Sequence, residues 1–185
     1  MILYKPQLLL LAMTLCIPVV YAQSQCSVTL SRPVVDYGHI SQQELHEYRK
    51  GWYRLGENSV IASVWCDSPQ KIAIFISGKT KGKEFQFGDE GKLLIVASQA
   101  TLDGHSVQLG KTSGAVPFIT QLPGHNQLPV SSGDGLLPIK NEDIPSGQKY
   151  SIELKLSPQI DSTQHKTTDN TNYTSDLHIQ IATNN

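Results

Sequence analysis

The sequence predicts an all-β domain, a sandwich of antiparallel strands with one short helix. Three observations carry this reading. Apolar and polar residues alternate with a period of two over several short runs, most clearly at Tyr150, Ile152, Leu154 and Leu156. Clusters of Gly, Pro, Asp and Ser separate those runs at short intervals. An export signal is followed by only two cysteines, Cys26 and Cys66, each beside a β-like run.

Residues 1–22 read as a secretory signal. Lys5 supplies the positive start, and Leu8 to Val20 is an apolar stretch too short to span a bilayer comfortably. Val20-Tyr21-Ala22 fits a cleavage site, which leaves Gln23 first. No small residue directly precedes Cys16 or Cys26, so a lipoprotein anchor is not expected. The remaining residues, 23–185, suit one domain. Without Lys5 the 15 basic residues fall to 14, against 16 acidic ones. That balance gives no electrostatic case for nucleic-acid binding. Two cysteines in an exported chain predict one disulfide, Cys26 to Cys66.

Cys26, Val28 and Leu30 alternate with polar residues and read as the first strand, which Pro33 interrupts and Val34 to Tyr37 resumes. Residues 40–51 supply the helix. Ser41 and Glu44 have capping-box spacing, Ile40 and Leu45 have staple spacing, and Gly51 is a stop. Trp52 and Tyr53 then form a lid on the sandwich end or a contact for a partner. Val60 to Cys66 is a strand, Asp67-Ser68-Pro69-Gln70 a turn, and Lys71 to Ser77 the next strand. That strand puts Ile72, Ile74 and Ile76 on one face and Ala73 and Phe75 on the other. Glu84 to Phe87 and Leu93 to Ser98 flank Gly88-Asp89-Glu90-Gly91 as a hairpin. Short strands are expected at Val107 to Leu109, Val116 to Thr120 and Leu136 to Ile139, with their pairing open. Tyr150 to Leu156 is a strand, Pro158 to Ser175 a polar loop, and Leu177, Ile179 and Ile181 mark the last strand.

Little in the chain points to catalysis. Residues 104–112 match the phosphate-loop pattern G-x-x-x-x-G-K-T. That loop needs a helix starting at its Lys-Thr, and Ser113, Gly114 and Pro117 do not provide one. The Asp103-Gly104 pair reads instead as a hairpin turn. Six histidines (His39, His46, His105, His125, His165 and His178) lack the pair spacing of a metal site. No nucleophile elbow is present, and the carboxylates Asp89 and Glu90 lie in a turn. The expectation is a non-enzyme with no cofactor, no metal and no catalytic residue.

The segment from Cys26 to Cys66 resembles the opening half of bacterial fimbrial subunits of the chaperone–usher class. A cysteine starts a strand, Val35-Asp36-Tyr37-Gly38 follows, then Leu45, a β-run into Cys66, and Pro69 before Ile72-Ala73-Ile74-Phe75. Leu102-Asp103-Gly104 and the terminal Leu177 to Ile181 strand resemble the fimbrial-like group often called DUF1120. The resemblance implies an immunoglobulin-like (pilin) sandwich lacking its final strand. It implies a periplasmic chaperone, an outer-membrane usher and other fimbrial subunits as partners, and a route through the periplasm to the fimbrium at the cell surface. On this basis the groove that accepts a donor strand would be lined by Val28, Leu30, Leu177, Ile179 and Ile181, and the chaperone would hold the carboxylate of Asn185. The chain stops four residues after Ile181, so the last strand would keep an unpaired edge. Only Gln23-Ser24-Gln25 lie between the expected cleavage site and Cys26. Fibre subunits of this class carry a longer apolar donor segment there, so a tip or initiator subunit in cell adhesion is expected. The alternative is a self-contained secreted β-sandwich binding a small ligand or carbohydrate, resembling the spore-coat-U-like group.

Overall fold

The computed structural model describes residues 25–38, 46–49 (main chain), 51–120, 123–161 and 173–184. The expected signal, most of the expected helix, Asn185 and the stretch 162–172 lie outside the described residues. Thirteen strands occur among those described, and every pairing is antiparallel. They are β1 Cys26–Leu30, β2 His46–Arg49, β3 Trp52–Arg54, β4 Asn58–Gly78, β5 Thr80–Lys81, β6 Glu84–Phe87, β7 Gly91–Leu102, β8 His105–Ser106, β9 Gln108–Ser113, β10 Gln127–Val130, β11 Asp134–Ile139, β12 Gly147–Asp161 and β13 Leu177–Asn184.

The sheet follows the order β5-β6-β7-β12-β4-β11-β9 and curls into a sandwich. β4 belongs to both layers. Its first half pairs with β12 and β1, its second half with β11 and β13. The core fills the curl: Ala62, Val64, Ile72, Ile74 and Ile76 of β4, Ile152 and Leu154 of β12, Ile95 and Ala97 of β7 and Leu136 of β11 are all buried. The outer face of the second layer is covered as well. There Ala73 and Phe75 pack with Leu137, Ile139, Ile144 and Phe118. The two faces expected for residues 71–77 are therefore both apolar, one against each cluster.

The helix expected within 40–51 is corrected. His46–Arg49 is a strand, paired with β3 through Glu47 opposite Tyr53. Gly51 has a φ of 85° and serves a hairpin turn, not a helix end. The cause is tertiary: β12 runs on to Asp161 and pairs with Trp52, Tyr53 and Arg54, which outweighs a local capping pattern. Trp52 and Tyr53 thus close one end of the sheet, with the Lys92 ammonium 4.7 Å from the centre of the Trp52 ring.

The turn expected at Asp67 to Gln70 is also corrected, because β4 is unbroken over 21 residues. Even-numbered positions from Val60 to Ile76 are buried except Ser68, so the strand keeps one alternation throughout. The buried Gln70 side chain donates to Cys26 Sγ at 3.1 Å and pairs with Gly147 through its main chain. The polar loop expected from Pro158 begins late, since β12 continues to Asp161. Pro158 is tolerated because it stands opposite Leu55, in the break between β3 and β4. Val116 to Thr120 is not a strand. Val116 makes one bridge to Ser113, and Phe118 caps the second cluster.

The 84–98 hairpin is present, with Phe85 opposite Leu93 and Phe87 opposite Gly91. Asp103 and Gly104 have φ values of 50° and 80° and turn β7 into β8 in two residues, with Leu102 opposite His105. Lys111 of the phosphate-loop pattern lies in β9 and forms an ion pair with Asp134 at 2.6 Å. No helix begins there.

Candidate functional site

Cys26 and Cys66 are bridged. They are direct cross-strand partners, and the bridge fixes β1 against the middle of β4. From this point the edges of β4 can be told apart, because the N–H and C=O of one strand residue point to the same edge and successive residues alternate. Odd residues face β1: Asp67 N–H donates to Gln25 O at 3.1 Å, and Ile61 O accepts from Ser31 N–H at 2.9 Å. Even residues face the other way: Ile76 O accepts from Gly133 N–H at 2.8 Å, beside β11. With β11 on the even edge, the eight-residue ladder of β13 occupies the odd edge, the same one as β1.

β13 and β1 both run antiparallel to β4, so they follow one another along that edge. Asn184 is opposite Lys71, and Cys26 is opposite Cys66. Pro69 falls in the gap between them, where no N–H is required. Among the described residues no strand pairs with the far edge of either β1 or β13.

The apolar side of this edge is incompletely covered. Direct cross-strand partners share a face. Val28 is opposite Val64, Leu30 opposite Ala62, Ile179 opposite Ile76 and Ile181 opposite Ile74. All four partners are 0% exposed. Yet Val28 is 36% exposed, and Leu30, Leu177, Ile179 and Ile181 are only half-buried against the core. Five inward-facing aliphatic side chains therefore retain access to solvent along one side of the sandwich.

Residues 34–37 border the same region. Val35 and Tyr37 pack against the core while Val34, 77% exposed, and Asp36 point outward. This is strand alternation without a main-chain ladder partner among the described residues. The Tyr37 ring meets Phe87 edge-on at 6.1 Å, and Phe87 stacks on Tyr173 at 5.8 Å. Burial raises the Tyr37 hydroxyl above its ordinary range, an effect that a hydrogen bond with Asn58 reduces. Phe87 thus contacts both the Tyr37 ring and the Tyr173 ring, just ahead of β13.

No family model matches the chain. It is similar to the uncharacterized protein YhcE of Escherichia coli (strain K12), at 24% identity over 167 residues, covering 86% of this chain and 90% of that one. Among solved structures it is similar to the P pilus rod subunit PapA, with a TM-score of 0.43, 10% identity, and coverage of 86% of this chain and 99% of that chain.

The sequence had already singled out Val28, Leu30, Leu177, Ile179 and Ile181, and the structure brings all five to one side of β4. Asn185 lies outside the described residues. What sequence reasoning missed is the unpaired state of 34–37, which reads from its alternation as an ordinary continuation of the first strand. It also missed the role of Leu102-Asp103-Gly104. Asp103 Oδ1 accepts from the N–H groups of Gln148 at 3.0 Å and Lys149 at 2.7 Å, which ties the β7–β8 turn to the start of β12.

Proposed function

We propose that the chain is a non-enzymatic structural subunit of a bacterial chaperone–usher fimbria, which completes its sandwich with a strand supplied by another chain. The observation that carries this is the row of inward-facing, part-exposed aliphatic side chains on β1 and β13, beside two unpaired strand edges. An incoming strand would hydrogen-bond along those edges and bury the exposed faces of Val28, Leu30, Leu177, Ile179 and Ile181. In this reading a periplasmic chaperone fills the side first, an usher receives the complex, and a neighbouring subunit replaces the chaperone at the cell surface. The carboxylate of Asn185 is a second point of chaperone contact. The polarity of Gln23-Ser24-Gln25, ahead of the disulfide-tied Cys26, supports a tip or initiator position, since this stretch offers a neighbour no apolar side chain.

Expression in the periplasm with and without a cognate chaperone tests the reading. The expected result is degradation or aggregation of the chain alone and a soluble one-to-one complex with the chaperone. A soluble, protease-resistant monomer in the absence of any partner would overturn it.

A further inference from the structure

The outer faces of the two layers differ. Leu137, Ile139, Ile144 and Phe118 cover that of the second layer from within the chain. That of the first layer keeps two large apolar side chains in solvent. Trp65 is 54% exposed and Ile61 49% exposed, both at outward, odd-numbered positions of β4. β1 and β12 flank β4 here. Lys149 and Ser27 stand beside Trp65, Ser151 and Thr29 beside Ser63, and Glu153 beside Ile61. Direct cross-strand partners share a face, so these side chains form one patch. At its centre the Ser63 and Ser151 hydroxyls are hydrogen-bonded to one another at 2.8 Å. Lys149 is exposed and Glu153 half-buried, and neither has an ion pair among the described residues.

This pattern complements itself. Consider a two-fold axis that lies in the plane of the face, crosses the strands and passes over Ser63 and Ser151. A second copy turned about that axis brings its Ile61 over Trp65 and its Glu153 over Lys149, and the reciprocal contacts follow by symmetry. Apolar side chains meet apolar ones, each ammonium meets a carboxylate, and the central hydroxyls meet their own equivalents. Asp67 comes over Ser59 of the second copy, next to its exposed Lys155. Ile61 and Trp65 are about 13 Å apart along the strand, so a turn of roughly 30° between the packed sheets keeps these pairs within reach. An unrelated partner would match the arrangement only by chance, whereas a second copy matches it by symmetry.

We propose that this face is an interface between two copies of the chain, packed sheet on sheet about a two-fold axis at Ser63 and Ser151. Trp65 is its anchor. The four strands β1, β4, β12 and β7, about 4.8 Å apart, and eight residue steps of about 3.3 Å outline roughly 500 Å². A standard interface takes roughly 800 Å² per partner, so the dimer is a transient one, with a dissociation constant on the order of tens of micromolar. The unpaired edges of β1 and β13 lie in the plane of the sheet and not on this face. The pairing therefore does not rest on strand acceptance, and it would join two strand-completed subunits side by side.

Sedimentation velocity tests this on the chain isolated from the periplasm, alone or with any chaperone that accompanies it. The sedimenting unit should double in mass between about 1 and 200 µM. Trp65→Ser should weaken the pairing by at least about tenfold. Lys149→Glu and Glu153→Lys each set like charges against one another at both ends of the interface, and each should abolish pairing over that range. An equimolar mixture of these two variants brings only opposite charges into contact and should associate again, within about threefold of the parent. That recovery also shows that neither variant is misfolded. A parent that has not doubled at about 200 µM would overturn the proposal. So would single charge variants that pair as the parent does, or a mixture that stays apart. The same measurement applies to a self-sufficient monomer, so its outcome is separate from that of strand acceptance.

Discussion

Replacing Ile179 by Asp probes the open side where it is apolar on both strands. Ile179 faces inward, opposite the fully buried Ile76, and is itself half-buried. Full burial of an isoleucine is worth roughly 1.5–3 kcal/mol, and part of this is already gained within the domain. Covering the remainder with an incoming strand contributes about 1 kcal/mol. An aspartate loses that gain and adds the cost of desolvating a carboxylate, several kcal/mol in effect. The combined loss is at least about 3 kcal/mol, or on the order of a hundredfold weaker capture by a chaperone. Affinity measured on the purified complex reads this directly. Gln180→Asp places the same charge one residue away on the exposed face and should leave capture within about threefold. Ile179→Val guards against a folding artefact, since it keeps the apolar face and should bind nearly as the parent does. Equal affinities for Ile179→Asp and Gln180→Asp would refute the strand-accepting edge.

Three further outcomes follow from the same structure. Replacing Cys26 and Cys66 together by Ser opens a loop closed over a separation of 40 residues and should cost about 4 kcal/mol on the chain-entropy model, read as a lower denaturant midpoint in the chaperone-bound or strand-complemented protein. Tyr150 is fully buried and its hydroxyl has no hydrogen-bond partner among the described residues; Tyr150→Phe should stabilise by about 1 kcal/mol. Burial raises the Tyr150 hydroxyl far above its ordinary value of 10.0, so the unfolded chain loses that proton first and stability falls as pH rises above 10.0. The alkaline loss should be smaller in Tyr150→Phe, and an identical pH profile for both proteins would contradict the assignment. Asp103→Ala removes an acceptor shared by two N–H groups at a position with a φ of 50° and should cost about 1–2 kcal/mol, whereas Asp103→Asn keeps an acceptor and tolerates the left-handed turn, so its thermal midpoint should stay close to the parent's.

The period-two signal made most of the sheet readable in advance. It located β12 through Tyr150, Ile152, Leu154 and Leu156, and β13 through Leu177, Ile179 and Ile181, because edge and inner strands of a half-buried sheet both write their inward face into the sequence. The same signal could not show where a strand passes from one layer to the other. Asp67-Ser68-Pro69 has the composition of a turn, and only the three-dimensional pairing shows that Pro69 stands in a gap of the β4 edge where its missing N–H is harmless. The residues before Gly51 carry a capping pattern that holds for an isolated segment. It fails once β12 extends to Asp161 and offers β3 a partner.

The head-to-tail placement of β13 and β1 brings Asn184 and Gln25 near one another along one edge of β4. Asn184 and Gln25 stand opposite Lys71 and Asp67 of the same strand, a separation of about 13 Å at 3.3 Å per residue. In a variant limited to residues 25–184, a short flexible linker spans that distance, and the polypeptide could then be reopened elsewhere, for instance at the two-residue Asp103-Gly104 turn. In such a circular permutant the last and first strands would become one long strand crossing from layer to layer alongside β4. The permutant would keep the unpaired outer edge, and its new termini would lie at the β7–β8 turn. It would therefore separate the hydrogen-bonding template of the open side from the chain order that builds it.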